Sequence, residues 1–169
     1  MLRTIILLTG VVQRQFAIAN LLREHNPDLS FCSGLRTADL AATEPETLRE
    51  ARLVSFASDD IVPETLLLQL GYGAYRFYAA PEQYPGLPQA PDEREEDACC
   101  FSVIAQSMTI WPDKKKVVGL ETFTVPQGTG AAARDRLIFA RLAFLFWSMS
   151  STIACAATLE SIGRTPARH

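Results

Sequence analysis

The stretch LVSFASDDIVPETLLLQLGYGAYRFYAAPEQYPG, residues 53–86, decides the fold class of this chain. It predicts a buried strand over residues 53–57, a helix that begins near Pro63 and ends at Gly71 and Gly73, and a second strand over residues 74–79. Parallel neighbours need a crossover of a dozen or more residues, which is usually a helix. The stretch therefore predicts an α/β protein built on a parallel sheet.

The segments on either side continue the alternation of strands and helices. Pro27 ends the first helical pattern, and the last apolar pattern is a long helix. The predicted elements are strands over residues 4–9, 29–32, 99–109 and 117–125, and helices over residues 12–26, 44–51 and 131–159. This order predicts a single Rossmann-like domain over residues 1–169, with a mostly parallel sheet and helices on both faces. Its ligand crevice should lie at the carboxyl ends of the strands.

Composition limits the classes of partner. The chain has 169 residues, 48% of them hydrophobic, and a net charge of −3. A negative net charge does not indicate the basic surface that nucleic-acid binding requires, so a small molecule is the expected partner. The four cysteines have no metal-ligand spacing, and the glycine-rich dinucleotide fingerprint is absent. We therefore expect a cytoplasmic protein with no metal and no NAD.

The end of the strand at residues 74–79 carries an unusual set of side chains. Arg76 and Tyr78 precede a turn marked by Tyr84, Pro85 and Gly86. This stretch, followed by CCFSVIAQSMTIWPDKKKVVGLETF at residues 99–123, resembles the folate-dependent formyltransferases over roughly residues 53–125. The resemblance implies a Rossmann-like formyltransferase fold. It also implies an enzyme of one-carbon metabolism that transfers a formyl group from 10-formyltetrahydrofolate to an amine on a small-molecule substrate.

The resemblance also assigns candidate catalytic residues. Members of the family carry a catalytic Asn-x-His strand and a later catalytic aspartate. Their asparagine corresponds to Arg76, their histidine to Tyr78 and their aspartate to Asp113. The Gly-Pro that follows the aspartate in the family is replaced here by three lysines, at residues 114–116. Two of the three catalytic positions have therefore changed residue type.

Four further residues are implied as the cofactor-binding set. They are Ser58, Asp59, Ile61 and Gln106. The first three follow the strand at residues 53–57, and Gln106 corresponds to a second histidine that many members carry. The resemblance implies that these residues bind 10-formyltetrahydrofolate.

The changed positions leave two functional hypotheses open. In the family, the asparagine and the histidine donate hydrogen bonds to the oxyanion formed during acyl transfer, and the aspartate orients the histidine. Arg76 can stabilise negative charge but cannot accept a proton, and a tyrosine hydroxyl such as Tyr78 is a poor base at neutral pH. The chain is either a formyltransferase with altered catalytic groups or a pseudoenzyme that acts as a ligand-binding or regulatory module.

Simpler interpretations remain beside these assignments. Asp113 next to three lysines is also typical of a solvated surface turn, and Arg76 between aromatic residues is also typical of a strand residue stacked on rings. The acidic run at residues 92–97 favours a solvated turn or loop. The uncharged segment at residues 142–159 is rich in serine, threonine and alanine, so we expect it to pack on the sheet or in a homodimer rather than to cross a membrane.

Overall fold

The structure, a computed structural model, describes residues 1–34, 36–40, 43–80, 98–111 and 114–156. The strands are β1 Thr4–Leu8, β2 Ser30–Gly34, β3 Ala51–Phe56, β4 Ala74–Ala80, β5 Ala98–Met108 and β6 Val117–Pro126. The helices are α1 Val12–His25, α2 Pro45–Arg49, α3 Glu64–Leu67 and α4 Ala131–Ala154, with a 3₁₀ turn at Thr37–Leu40.

The strands form one six-stranded sheet in the order β2-β1-β3-β4-β5-β6. Strands β1 to β4 are parallel to one another, and β5 runs antiparallel to both of its neighbours. The predicted α/β, Rossmann-like fold with a mostly parallel sheet is therefore confirmed. The last two strands form an antiparallel hairpin at one edge.

Strands β1 and β3 are buried along their whole lengths, because apolar residues pack on both faces of the sheet. On one face, Leu7 and Val54 pack in a cluster with Leu22 of α1 and Leu145 of α4. On the other face, a second cluster joins the strands to the short helices; it contains Ile6, Leu8, Leu53, Leu48 of α2 and Leu66 of α3. Full burial of one such aliphatic side chain stabilises the fold by roughly 1.5–3 kcal/mol.

Three predicted helix boundaries are wrong. The helix expected over residues 44–51 ends at Arg49, because Ala51 already pairs with Thr4 in the sheet. The helix that begins after Pro63 is a single turn of four residues. The last helix ends at Ala154 rather than at residue 159, with Cys155 in an extended conformation. The acidic run at residues 92–97 lies outside the described residues.

A buried arginine, which the sequence pattern does not reveal, forms hydrogen bonds to the end of α4. Arg52 of β3 is 1% exposed. Its guanidinium donates to the carbonyls of Thr152, Ile153 and Cys155 at 2.8–3.0 Å, and to the carbonyl of Tyr72 at 3.1 Å. Carbonyls in the last helical turn have no partner within the helix and carry the negative end of its dipole, so a cation stabilises them. Burial lowers the pKa of Arg52, although an arginine remains protonated in a protein.

Helix α4 is apolar on more than its buried side. Leu142, Leu145 and Phe146 are buried against the sheet, whereas Phe144 and Trp147 are 56% and 59% exposed. Within the described residues, α4 is the one helix long and apolar enough to cross a membrane by length and composition alone. A helix of a soluble core passes the same test, so this is weak evidence for a membrane span.

Gly71 is required by a close backbone approach between α2 and the chain that leads into β4. A Cβ atom at this position would overlap the carbonyl oxygen of Arg49. We expect Gly71→Ala to lower the free energy of unfolding by about 2 kcal/mol, because backbone must shift to remove the overlap. The matched control is Gly10→Ala, since no atom lies within 4 Å of a Cβ atom there. Urea unfolding of both variants measures the difference, and equal midpoints would contradict this account.

Candidate functional site

Three of the candidate residues form a polar row across β4 and β5. Arg76 and Tyr78 are two residues apart on β4, so their side chains lie on the same face of the sheet. Gln106 of β5 pairs with Arg76 in the antiparallel register. The Tyr78 hydroxyl donates a hydrogen bond to Oε1 of Gln106 at 3.2 Å. The sequence positions thus converge in one place, which we call the polar row.

The Arg76 guanidinium makes several contacts at the end of β3. Its Nη2 donates to the carbonyl oxygen of Ser58 at 2.9 Å, and its central carbon lies 5.5 Å from the centre of the Tyr78 ring. Its Nε is buried and has no hydrogen-bond partner among the described residues. The same is true of Oγ of Ser55, the residue that pairs with Arg76 across β3 and β4.

A strained connection follows β3. Ala57 has a φ of +47°, the left-handed region that alanine rarely adopts. Its amide donates to the carbonyl of Phe77, and the next turn is fixed by a bond from the Asp60 amide to Oγ of Ser58. Such a conformation costs on the order of 1 kcal/mol and persists when its surroundings impose it. The strained residue, Ala57, lines the cleft described next.

A cleft of about 690 Å³ opens at the carboxyl ends of β3 and β4, between α1 and α4. Arg14 of α1 and Phe139 of α4 face each other there, with the guanidinium carbon 4.5 Å from the ring centre. The lining residues combine charged and apolar side chains: Arg14, Ala57, Ser58, Asp59, Tyr78, Ala79, Asp135, Arg136, Ile138, Phe139 and Leu142. This size and mixed lining are typical of small-molecule sites.

The candidate cofactor residues occupy different places. Ser58 and Asp59 line the cleft. Gln106 lies in the polar row, bonded to Tyr78. The side chain of Ile61 is 87% exposed.

Asp113 and the Tyr84-Pro85-Gly86 turn lie outside the described residues. The hairpin connection that contains Asp113 starts after Met108, two residues beyond Gln106. Its base is closed by bonds from the Ser107 amide to the Lys116 carbonyl and from the Lys116 amide to Oγ of Ser107. The base of this connection is therefore close to the Arg76 end of the polar row.

The polar row lacks a strong proton acceptor among its described residues, whereas Asp59 and Asp135 line the adjacent cleft. No carboxylate or imidazole belongs to the described polar row. His25, one of the two histidines of the chain, bonds Oγ of Ser150 at 2.9 Å and joins α1 to α4. Among the described residues, no group of three His, Cys, Asp or Glu could hold a metal ion.

Sequence reasoning missed Ser55, Arg14 and Phe139. Ser55 appears in the sequence as one polar residue inside a buried strand, a pattern that does mark a position worth examining. Arg14 and Phe139 carry no such signal, because they meet only when α1 and α4 pack together.

Comparisons with known proteins identify the fold. No family model matches this chain, and no curated protein matches it either. The structure is similar to that of a Mycobacterium tuberculosis protein provisionally described as a sugar N-formyltransferase, with a TM-score of 0.63 and 14% identity. That match covers 96% of this chain and 72% of the other chain.

Two further structures have the same architecture. One is the formyltransferase PseJ from Anoxybacillus kamchatkensis, in complex with UDP-4,6-dideoxy-4-formamido-L-AltNAc and tetrahydrofolate, with a TM-score of 0.59, 11% identity, and coverage of 94% of this chain and 80% of that one. The other is methionyl-tRNA formyltransferase from Clostridium thermocellum, with a TM-score of 0.54, 14% identity, and coverage of 95% and 70%. At these identities the likeness establishes the fold: the chain has the Rossmann-like α/β fold of formyltransferases.

Proposed function

We propose that this protein transfers a formyl group from 10-formyltetrahydrofolate to an amine on a small-molecule substrate in the cytoplasm. The observation that carries the proposal is the polar row, in which Arg76, Tyr78 and Gln106 lie together on the fold of formyltransferases. The row is connected to the cleft through Tyr78, which also lines the cleft.

The size and the lining of the cleft support a folate as the cofactor. Its volume of about 690 Å³ is within the range of small-molecule sites, and Phe139 offers an aromatic face. Ser58 and Asp59 would supply polar contacts to the cofactor. When bound, 10-formyltetrahydrofolate supplies the formyl carbon.

Arg76 and Tyr78 would act on the charge that develops during acyl transfer. A fixed cation and a hydroxyl donor both stabilise negative charge on a carbonyl oxygen, and such donors are strong in a site that excludes water. Arg76 also disfavours a protonated amine nearby, so it would favour the neutral amine that can attack. The resemblance assigns Asp113 as the group that accepts the proton, and Asp59 and Asp135 are further carboxylates that line the cleft.

A second function is favoured by the internal bonds of these same donors. Arg76 already donates to the Ser58 carbonyl, and Tyr78 already donates to Gln106. Within the described residues of the row there is no general base. The alternative proposal is therefore an inactive formyltransferase relative that binds a ligand in the cleft as a regulatory module.

Calorimetry with 5-formyltetrahydrofolate, a stable analogue, tests whether the cleft binds folate. We expect Phe139→Ala to weaken binding about tenfold, because it removes an aromatic face from the cleft. Phe144→Ala is the matched control: it lies on the same helix but is exposed outside the cleft, and it should bind as the parent does. Absence of binding by the parent protein would contradict both proposals.

Turnover of 10-formyltetrahydrofolate with a panel of small amines separates the two functions. Formyl transfer to any of these amines supports the enzyme. Binding of the folate analogue with no transfer supports the inactive relative.

A further inference from the structure

Ser55 and Arg76 occupy paired positions on β3 and β4, and each has one buried hydrogen-bond donor without a partner among the described residues. They are registered partners on the parallel strands β3 and β4, so their side chains are neighbours on one face. Oγ of Ser55 and Nε of Arg76 are each buried and without a hydrogen-bond partner among the described residues. The Ser55 side chain is completely buried. Buried polar groups are almost always bonded, so two adjacent exceptions indicate a missing acceptor.

The missing acceptor should carry negative charge. Arg76 is a permanent cation, and no carboxylate among the described residues lies within ion-pair distance of it. Its hydrogen bond within the described residues is to a neutral carbonyl, that of Ser58. A partly buried cation with no anionic partner among the described residues is costly to bury, and a bound anion would offset this cost.

The arrangement suits a small planar anion. The two donors are a guanidinium N–H and a hydroxyl, and an arginine edge matches a planar carboxylate. The nearby Ser58 carbonyl oxygen would repel the higher charge of a phosphate. Arg76 itself is only partly buried, so part of its side chain contacts solvent.

We propose that Ser55 and Arg76 form a binding site for one carboxylate group, which accepts hydrogen bonds from Nε of Arg76 and from the Ser55 hydroxyl. The ligand class is a small carboxylic acid or a molecule with an accessible carboxylate. This binding occurs in the resting protein, so it goes beyond formyl transfer and does not depend on it.

Titration with sodium formate, the smallest carboxylate, tests the site. Line broadening of ¹³C-formate is measured on the full chain at constant ionic strength maintained with chloride. We expect a Kd on the order of 1–10 mM, as for a single charge-assisted contact. Arg76→Gln and Ser55→Ala should each weaken binding at least tenfold. Arg49→Gln, which changes an exposed arginine, should leave it unchanged.

Each outcome decides the proposal. If Arg76→Gln does not fold, Ser55→Ala still tests the site, because it removes one hydroxyl and adds no bulk. Formate binding that Ser55→Ala leaves intact would overturn the assignment, and so would the absence of binding by the parent protein. Stronger binding of inorganic phosphate than of formate would overturn the carboxylate class. If the protein binds folate but not formate, the carboxylate site is contradicted and the proposed function is not. If it binds formate but not folate, the proposed function is contradicted and the carboxylate site is not.

Discussion

The double variant Arg76→Asn/Tyr78→His is expected to consume 10-formyltetrahydrofolate about a hundredfold faster than the parent protein. It would place an amide donor and an imidazole at the two positions that the proposed correspondence assigns to the catalytic asparagine and histidine of formyltransferases. Of the two, only the imidazole can both accept and donate a proton near neutral pH. Initial rates measured for the parent and the double variant, with circular dichroism to check folding, give the comparison.

A third substitution tests whether the gain works through Asp113. Asp113→Asn in the double variant should return the rate to that of the parent, because a restored imidazole needs a carboxylate to orient it and to stabilise its charged form. If the parent is already as fast as the double variant, Arg76 and Tyr78 are catalytic residues of a different mechanism. The interpretation of these positions as degenerate would then be wrong.

Replacing Arg52 is expected to have the largest effect on stability. Arg52→Met has a similar length but no donors, so four carbonyls that are buried or partly buried lose their bonds to the guanidinium. We expect the free energy of unfolding to fall by about 4 kcal/mol and the melting temperature by about 10 °C. Urea unfolding followed by circular dichroism measures the loss.

Two arginine controls separate this capping role from a general effect of charge. Arg52→Lys keeps the charge but not the fork of donors, so it should lose roughly half as much as Arg52→Met. Arg23→Met removes an arginine that stacks on Phe31 at the surface and should cost under about 1 kcal/mol. A loss of the same small size for Arg52→Met would contradict the capping role.

The centre of the sheet could be predicted because β1 and β3 are buried on both faces. The run TIILL of β1 and the run ARLVSF of β3 are buried at every position, and such short apolar runs between turns are typical of parallel strands. Their ends were harder to predict, because pairing and not local preference sets them. Ala51 joins β3 by pairing with Thr4, and α4 stops where Arg52 and Asn26 bond its last carbonyls.

The candidate site could be predicted only in part. The two-residue spacing of Arg76 and Tyr78 places them on one face of any strand. Their meeting with Gln106 depends on the antiparallel register of β5, and a slip of one residue would turn Gln106 to the opposite face. The cleft depends on the packing of α1 against α4, which places Arg14 next to Phe139, a residue 125 positions later in the chain. Local patterns carry no information about such contacts.

The bonds at the end of α4 have a consequence for the order in which the chain folds. Arg52 and Asn26 reach carbonyls that lie 100 to 128 residues later in the sequence. During synthesis β1, β3 and α1 can therefore form early, but the Arg52 guanidinium has to stay hydrated until Cys155 has left the ribosome. Contacts over such separations form slowly, because the chain loses the entropy of loop closure before the new contacts stabilise it. Docking of α4 should thus be a late folding event, and until then one face of the sheet is open to chaperones and to aggregation.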